Sequence, residues 1–341
     1  MIIWFLLLML IYSFCNWLIG QQIMALLRVN TVAFWVILAI LACSPLLGRM
    51  GISSAIDKAG NFWMVFFYYA TFLAVLGIFV KNKPFIIGCY LLIFILILIG
   101  SIHAKNVKVV SYDINIPKQA RDFDIVMLSD THINQTKSSD YVEKMVSDIN
   151  SLHPDIVLFA GDIFDDRNVN SLKEKKEILK GIKATDGVYG VLGNHEYYSN
   201  NLSEILDIYK EANINILIDE VAELETIYIV GRDDIYKKRK NLNELLQTVN
   251  KEKPIILLDH QPVSLEEAKN NGVDLQLSGH THKGQFFPNQ LITAKIYEVD
   301  YGYLAKDSLQ VIVTSGYGTW GPPVRIGTQS EILDIKIKFQ K

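Results

Sequence analysis

The first 104 residues hold four apolar stretches, roughly 2–20, 31–48, 62–80 and 85–103, with only five basic residues (Arg28, Arg49, Lys58, Lys81, Lys83) and one acid, Asp57, among them. Each is close to the ~20 residues that a helix needs to cross a hydrocarbon core about 30 Å thick. In hydrocarbon a lone apolar segment of this length satisfies its backbone only as a helix. A soluble helix normally keeps a polar face, and "PFIIGCYLLIFILILIG" keeps none. The first stretch has no basic region before it and no small-x-small cleavage site after it, which argues against a removed signal peptide. The expectation is a four-helix transmembrane region over residues 1–104. Cys15, Cys43 and Cys89 all fall inside it, so disulfides say nothing about the compartment of the remainder.

Charge is unevenly spread. The net −3 is the sum of +4 from residues 1–104 and −7 from the rest. An acidic remainder argues against a duplex nucleic-acid binder, and no nucleic-acid partner is expected. Four spans would put the N-terminus and the remainder on one side. Arg49, Lys58, Lys105 and Lys108 lie on that side, against Arg28, Lys81 and Lys83 on the other. The positive-inside rule then leans towards a multi-pass protein of the cell membrane with its remainder in the cytoplasm.

From about residue 107 the pattern becomes α/β. "FDIVMLSD" (123–130), "PDIVLFAGD" (154–162), "GVYGVLGN" (187–194) and "PIILLDH" (254–260) are short β-branched-rich runs that end in polar residues. Runs apolar on both faces suit strands buried on both sides. Between them, Tyr141, Val142, Met145, Val146, Ile149 and Leu152 form a stripe at helical spacing, and "SLKE" (171–174) reads as a capping box. Only nineteen residues, 104–122, separate the last apolar stretch from the first strand bearing chemistry, so the soluble part is expected against the bilayer surface.

The strand ends carry the chemistry. In order they read "SDTH" (Asp130, His132), "GD" (Asp162), "GNHE" (Asn194, His195, Glu196), "H" (His260) and "GHTH" (His280, His282), and these take up five of the seven histidines. Carboxylates, imidazoles and a carboxamide oxygen are hard-to-borderline metal ligands, and this edge is where open α/β sheets place their sites. One Asp-x-His alone is more often a turn. Five such clusters, each closing an apolar run, point to a metal centre. If "HTH" is extended, His280 and His282 point the same way.

The ordered set D-x-H, G-D, G-N-H-[DE], H, G-H-x-H resembles the signature of the calcineurin-like metallophosphoesterases, and "GHTHKGQFFP" and "SGYGTWGPPVRIGTQSEI" resemble a bacterial membrane-associated branch of that family. The resemblance covers about residues 120–341. It implies a four-layer αββα sandwich over residues 105–341, holding two divalent metal ions (Mn, Fe or Zn). It further implies that Asp130, His132 and His282 hold one ion, that Asn194, His260 and His280 hold the other, and that Asp162 bridges them. His195 matches the histidine that meets the phosphate and leaving group, and Glu196 the acid that orients it. The implied activity is hydrolysis of a phosphoester or phosphodiester.

Other readings carry less. "GYGTWG" (316–321) fits G-x-G-x-x-G, but Pro322 and Pro323 stand where a phosphate-binding helix should open, so it reads as a loop. A metallo-amidohydrolase would place its His-x-His early rather than late. A non-catalytic membrane sensor or scaffold would need the metals but not His195. Among substrates, the aromatics near the motifs (Tyr197, Tyr198, Phe286, Phe287, Trp320), with Lys283 and Arg325, favour an amphiphilic or lipid-linked phosphoester. A soluble nucleotide, cleaved by a phosphodiesterase with a simple membrane anchor, is the rival.

Overall fold

The computed structural model describes residues 2–29, 31–50, 53–166, 169–199 and 201–340. Contacts divide the chain into two units, Met1–Ile102 with Gly321–Ile326, and His103–Trp320 with Gly327–Lys341.

The first unit is built on α1 (Ile2–Leu27), α2 (Val32–Arg49), α3 (Ser54–Phe79) and α4 (Lys83–Lys105). All four apolar stretches are helices. Three of them, Ile3–Leu27, Ser54–Phe79 and Lys83–Lys105, are long and apolar enough to cross a membrane. The expected count of four falls to three because the apolar part of α2 runs only from Val32 to Gly48 and contains Pro45. At 1.5 Å per residue it reaches about 26 Å, short of a ~30 Å core. Several polar groups inside the unit pair with one another, as a membrane interior favours. Tyr12 donates to the Ala42 carbonyl (2.8 Å), Trp63 Nε1 donates to Tyr12 (3.2 Å), and Tyr90 donates to Gln22 Oε1 (2.7 Å). Gly60 permits the close approach of α3 to α2, since a Cβ there would meet the Pro45 backbone at 2.7 Å.

The second unit runs β1 (Lys108–Gln119), β2 (Phe123–Leu128), α5 (Ser139–Ser151), β3 (Ile156–Ala160), α6 (Asn170–Leu179), β4 (Val188–Val191), α7 (Leu202–Glu211) and β5 (Ile214–Ile216). It continues through β6 (Glu220–Glu223), β7 (Tyr228–Gly231), α8 (Leu242–Leu245), β8 (Ile255–Leu258), α9 (Leu265–Asn270) and β9 (Leu275–Ser278). It closes with α10 (Gln290–Ile296), β10 (Gly302–Lys306), β11 (Leu309–Val313) and β12 (Glu331–Gln340). The strands form two six-stranded mixed sheets, ordered β1-β12-β2-β3-β4-β5 and β10-β11-β9-β8-β7-β6.

Successive strand residues face opposite layers. In β2, Val126 and Leu128 pack against Val142, Met145 and Ile149 of α5, in a core that also takes in α6 and α7. Ile125 and Met127 point the other way and meet Ile256, Leu258 and Leu275 of the second sheet. Beyond that sheet, Leu257 and Val311 pack against Leu242 of α8 and Leu265 of α9. These are the four layers of an αββα sandwich, and both-sided burial is why the strands read as unbroken apolar runs. Of the stripe, Val142, Met145, Val146 and Ile149 are buried in α5, and Tyr141 and Leu152 at its ends are half-buried. The "SLKE" box does not form. The N-cap of α6 is Val169, and Ser171 lies inside the helix with its hydroxyl donating to Asp166 Oδ2 (3.4 Å). "GYGTWG" is loop throughout.

Candidate metal centre

β2, β3 and β4 are parallel neighbours, as are β8 and β9, so the loops that follow them leave from common edges. The chain turns hard there. Asp130, His132, Asp162, His280 and His282 all have left-handed φ, between 45° and 68°. Such conformations cost side-chain-bearing residues about 1–3 kcal/mol each and persist only where the surroundings impose them. Here the first and second loops are laced together: Asp130 N donates to the Gly161 carbonyl (3.0 Å), His132 N to that of Asp162 (3.1 Å) and Ile133 N to that of Ile163 (2.8 Å).

"HTH" is therefore not extended. His280 and His282 are left-handed on either side of a right-handed Thr281 (φ −74°, ψ −22°), and the turn sends the two imidazoles to different neighbours. His282 Nε2 lies 3.0 Å from His132 Nε2 and 3.3 Å from Asp130 Oδ1. His280 Nδ1 lies 3.2 Å from His260 Nε2, which is itself 3.2 Å from Asp162 Oδ2. Asp130, His132 and His282 thus form one group able to hold a cation, and Asp162, His260 and His280 form another. Asp162 also groups with His132 and His195, so it stands between the two.

These residues fit divalent cations. Asp130 Oδ1 and Asn194 Oδ1 are buried without a hydrogen-bond donor among the described residues, an arrangement that is costly unless something electropositive faces them. Facing imidazole nitrogens have the same need. Burial works against charge on Asp162, yet His260 beside it holds that carboxyl well below the usual range. Burial opposes charge on His260, but the Asp162 carboxylate raises its pKa to about 10, and burial with that neighbouring charge pushes His280 down to about 4. Neutral imidazole, carboxylate and carboxamide oxygen suit divalent metal.

His195 and Glu196 part company. His195 Nδ1 lies 2.7 Å from Asp165 Oδ1, and its Nε2 lies 4.0 Å from Asp162 Oδ2. Burial opposes its positive charge, but the hydrogen bond to Asp165 and the Asp162 charge raise its pKa above the ordinary value. Glu196, expected to orient this imidazole, does not touch it. Its Oε1 accepts from Ile163 N (2.7 Å), Phe164 N (2.9 Å) and the Tyr209 hydroxyl (3.2 Å), and its Oε2 accepts from Gly193 N (2.8 Å). Glu196 is fully buried and ties three loop amides together. The carboxylate that meets the His195 imidazole is Asp165, whose other oxygen lies 3.2 Å from His132 Nδ1. The signal for it was the second acid of "GDIFD" (161–165), three residues past Asp162.

Of the other expected groups, Lys283 places its ammonium 3.8 Å over the Tyr301 ring, and Arg325 is fully buried. The exposed Tyr198 ring lies 5.1 Å from that of His195. Tyr197 instead donates to Asp233 and lies under the Lys237 ammonium. Tyr297 joins the site from the chain after α10, its ring 6.4 Å from that of His280.

The profile of the calcineurin-like phosphoesterase family matches residues 123–284. The chain is 34% identical over 244 residues to an uncharacterized metallophosphoesterase of Campylobacter jejuni, covering 70% of this chain and 65% of that one. It is 33% identical over 260 residues to an uncharacterized metallophosphoesterase of Aquifex aeolicus, covering 72% and 98%. It is 31% identical over 255 residues to a transmembrane protein with metallophosphoesterase domain of Danio rerio, covering 69% and 58%. The chain thus spans just under two thirds of the Campylobacter relative's length.

Proposed function

The chain belongs to the calcineurin-like phosphoesterase family, and from that premise we propose that it is a membrane-anchored hydrolase that cleaves a phosphoester at a centre of two divalent cations. The observation that carries the reading is the Asp130–His132–His282 and Asp162–His260–His280 groups, linked because Asp162 also groups with His132 and His195. Asp130, His132 and His282 hold one cation and Asn194, His260 and His280 the other, with Asp162 between. Manganese, iron or zinc suits this donor set. When bound, such ions supply Lewis acidity and neutralise charge on the phosphoryl oxygens.

The protein's own groups do the rest. Asp165 accepts from His195 Nδ1 and favours the doubly protonated ring, so Nε2 can donate its proton to the departing oxygen. Asn194 adds a ligand oxygen without adding negative charge. A purely ligand-binding scaffold would leave the His195–Asp165 pair without a task. The preferred substrate is an amphiphilic phosphoester, for which Tyr198 and Tyr297 offer apolar surface beside the histidines. The helices of residues 1–104 anchor the phosphoesterase region, residues 105–341; with α1, α3 and α4 spanning, Arg28, Arg49, Lys105 and Lys108 fall on its side against Lys81 and Lys83 on the other, a balance that favours the cytoplasm for it.

The test is metal stoichiometry with turnover. Purified full-length protein, stripped by chelator and reloaded with Mn²⁺, should bind two ions and hydrolyse a nitrophenyl phosphodiester. Asp162→Ala should lose metal and nearly all turnover. Two tightly held ions and wild-type turnover in Asp162→Ala would overturn the proposal.

A further inference from the structure

The helix α10 is seven residues long, and none of its residues is buried. Leu291 is 61%, Ile292 55% and Ile296 65% exposed. A short helix normally forms because packing holds one face, and α10 lacks that reason. It is held instead by polar ties. Thr293 donates to Asp300 Oδ2 (2.6 Å), and Thr281, between the two site histidines, donates to the Asp300 carbonyl (2.6 Å). Asp300 therefore fastens an uncovered apolar helix to the turn that carries His280 and His282.

Two neighbouring features share this character. Trp320, 51% exposed, is clamped by Gln285: its amide donates to Gln285 Oε1 (3.0 Å) and its carbonyl accepts from Gln285 Nε2 (3.0 Å). The loop after β7 reads "IYKKRK" (235–240), with Tyr236 75% exposed and Lys237, Lys238 and Lys240 exposed. Tyr236 is near enough to Tyr297 to help burial raise the Tyr297 phenol, so this basic loop flanks the chain that leaves α10. An apolar helix bearing Lys295, a projecting Trp and a lysine-rich loop with an exposed Tyr make up the chemistry of an interfacial membrane contact.

We propose that α10, Trp320 and the 235–240 loop form a docking face for an anionic bilayer surface, which brings the mouth of the metal centre to the level of lipid headgroups. The occupant is a bilayer because the same chain carries helices suited to span one, and only Asn106 and Val107 separate α4 from β1. Two residues reach at most about 7 Å, so β1 starts close to the end of a helix suited to span a bilayer. Lysines on this face match anionic headgroups in charge. The inference deepens the amphiphilic-substrate reading, yet its test does not require turnover.

The full-length chain, with Cys15, Cys43 and Cys89 changed to Ala, is placed in discs of phosphatidylcholine and phosphatidylglycerol containing doxyl-labelled lipid. Bimane is attached at Leu291→Cys, at Ile296→Cys as an independent position, or at Glu177→Cys as a solvent-facing reference. The proposal expects several-fold stronger quenching at 291 and 296 than at 177. Removing charge with Lys237→Gln, Lys238→Gln and Lys295→Gln should lower the docking equilibrium constant by roughly fivefold per lysine, read as lost quenching at 291 and 296. Quenching at 291 and 296 no greater than at 177 would overturn the docking face. Strong quenching in a protein that never hydrolyses a phosphodiester would leave the docking face standing and sink the hydrolase reading instead.

Discussion

His195 Nδ1 sits 2.7 Å from Asp165 Oδ1, while the next residue in the chain, Glu196, turns its carboxylate to three backbone amides. Two adjacent residues thus face different surroundings: one meets a carboxylate beside the ligand groups, and the other holds together the loops that carry them.

His195→Ala should keep the bound metal and lose turnover by roughly the 10²–10⁴ that a general acid contributes. The loss should shrink for nitrophenyl esters, whose leaving group needs little protonation. Equal impairment on good and poor leaving groups, measured as kcat across an ester series, would refute the proton-donor role and leave His195 positioning phosphate.

Asp165→Asn and Glu196→Gln should separate cleanly. Asp165 reaches both His195 and His132, so its loss should cost roughly 10–100-fold in activity or metal affinity, with melting temperature little changed. Glu196→Gln turns an NH₂ group against an amide donor, leaving a buried donor unpaired at about 1–3 kcal/mol. Thermal melting should then fall by several degrees while the folded fraction keeps most of its kcat. The reverse pattern would return the orienting role to Glu196.

Chelation should destabilise the protein even without substrate. Ligands that bind only the folded state stabilise it by mass action, about 2.7 kcal/mol at a hundredfold excess over Kd. Without cations, Asp130 Oδ1 and Asn194 Oδ1 remain buried and unpaired. Differential scanning fluorimetry should show Tm rising with added Mn²⁺, and an unchanged Tm would argue against tight binding by these residues.

Gly279→Ala tests how closely the loops must approach. A Cβ at Gly279 would collide with the side chains of Ser129 and Asp130. Overpacking of this kind typically costs 1–3 kcal/mol. The displaced carboxylate should leave His282, so one metal should bind more weakly than the other in a calorimetric titration. Two ions bound with wild-type affinity would show that the loops can give way.

Much of this protein was legible in its residues because burial leaves a periodic trace. Strands covered on both faces read as unbroken apolar runs, helices as stripes such as that on α5, and membrane-length helices as stretches with no polar face. The metal-ligand candidates were legible because their types and order along strand ends are unusual in combination. Other features had no local signature. Asp165 meets His195 Nδ1, and Glu196 does not, because β3 and β4 are neighbours in the sheet and the loops that follow them come together, a fact of sheet order rather than of adjacency in sequence. His280 and His282 were expected at different ions if the chain turned at Thr281; that it does so through left-handed backbone at both histidines is a matter of the neighbouring loops. The short reach of α2 depends on where the helix starts and stops, which composition blurs. Sequence dictates what each segment must bury; only the packing of distant segments decides which buried polar groups meet.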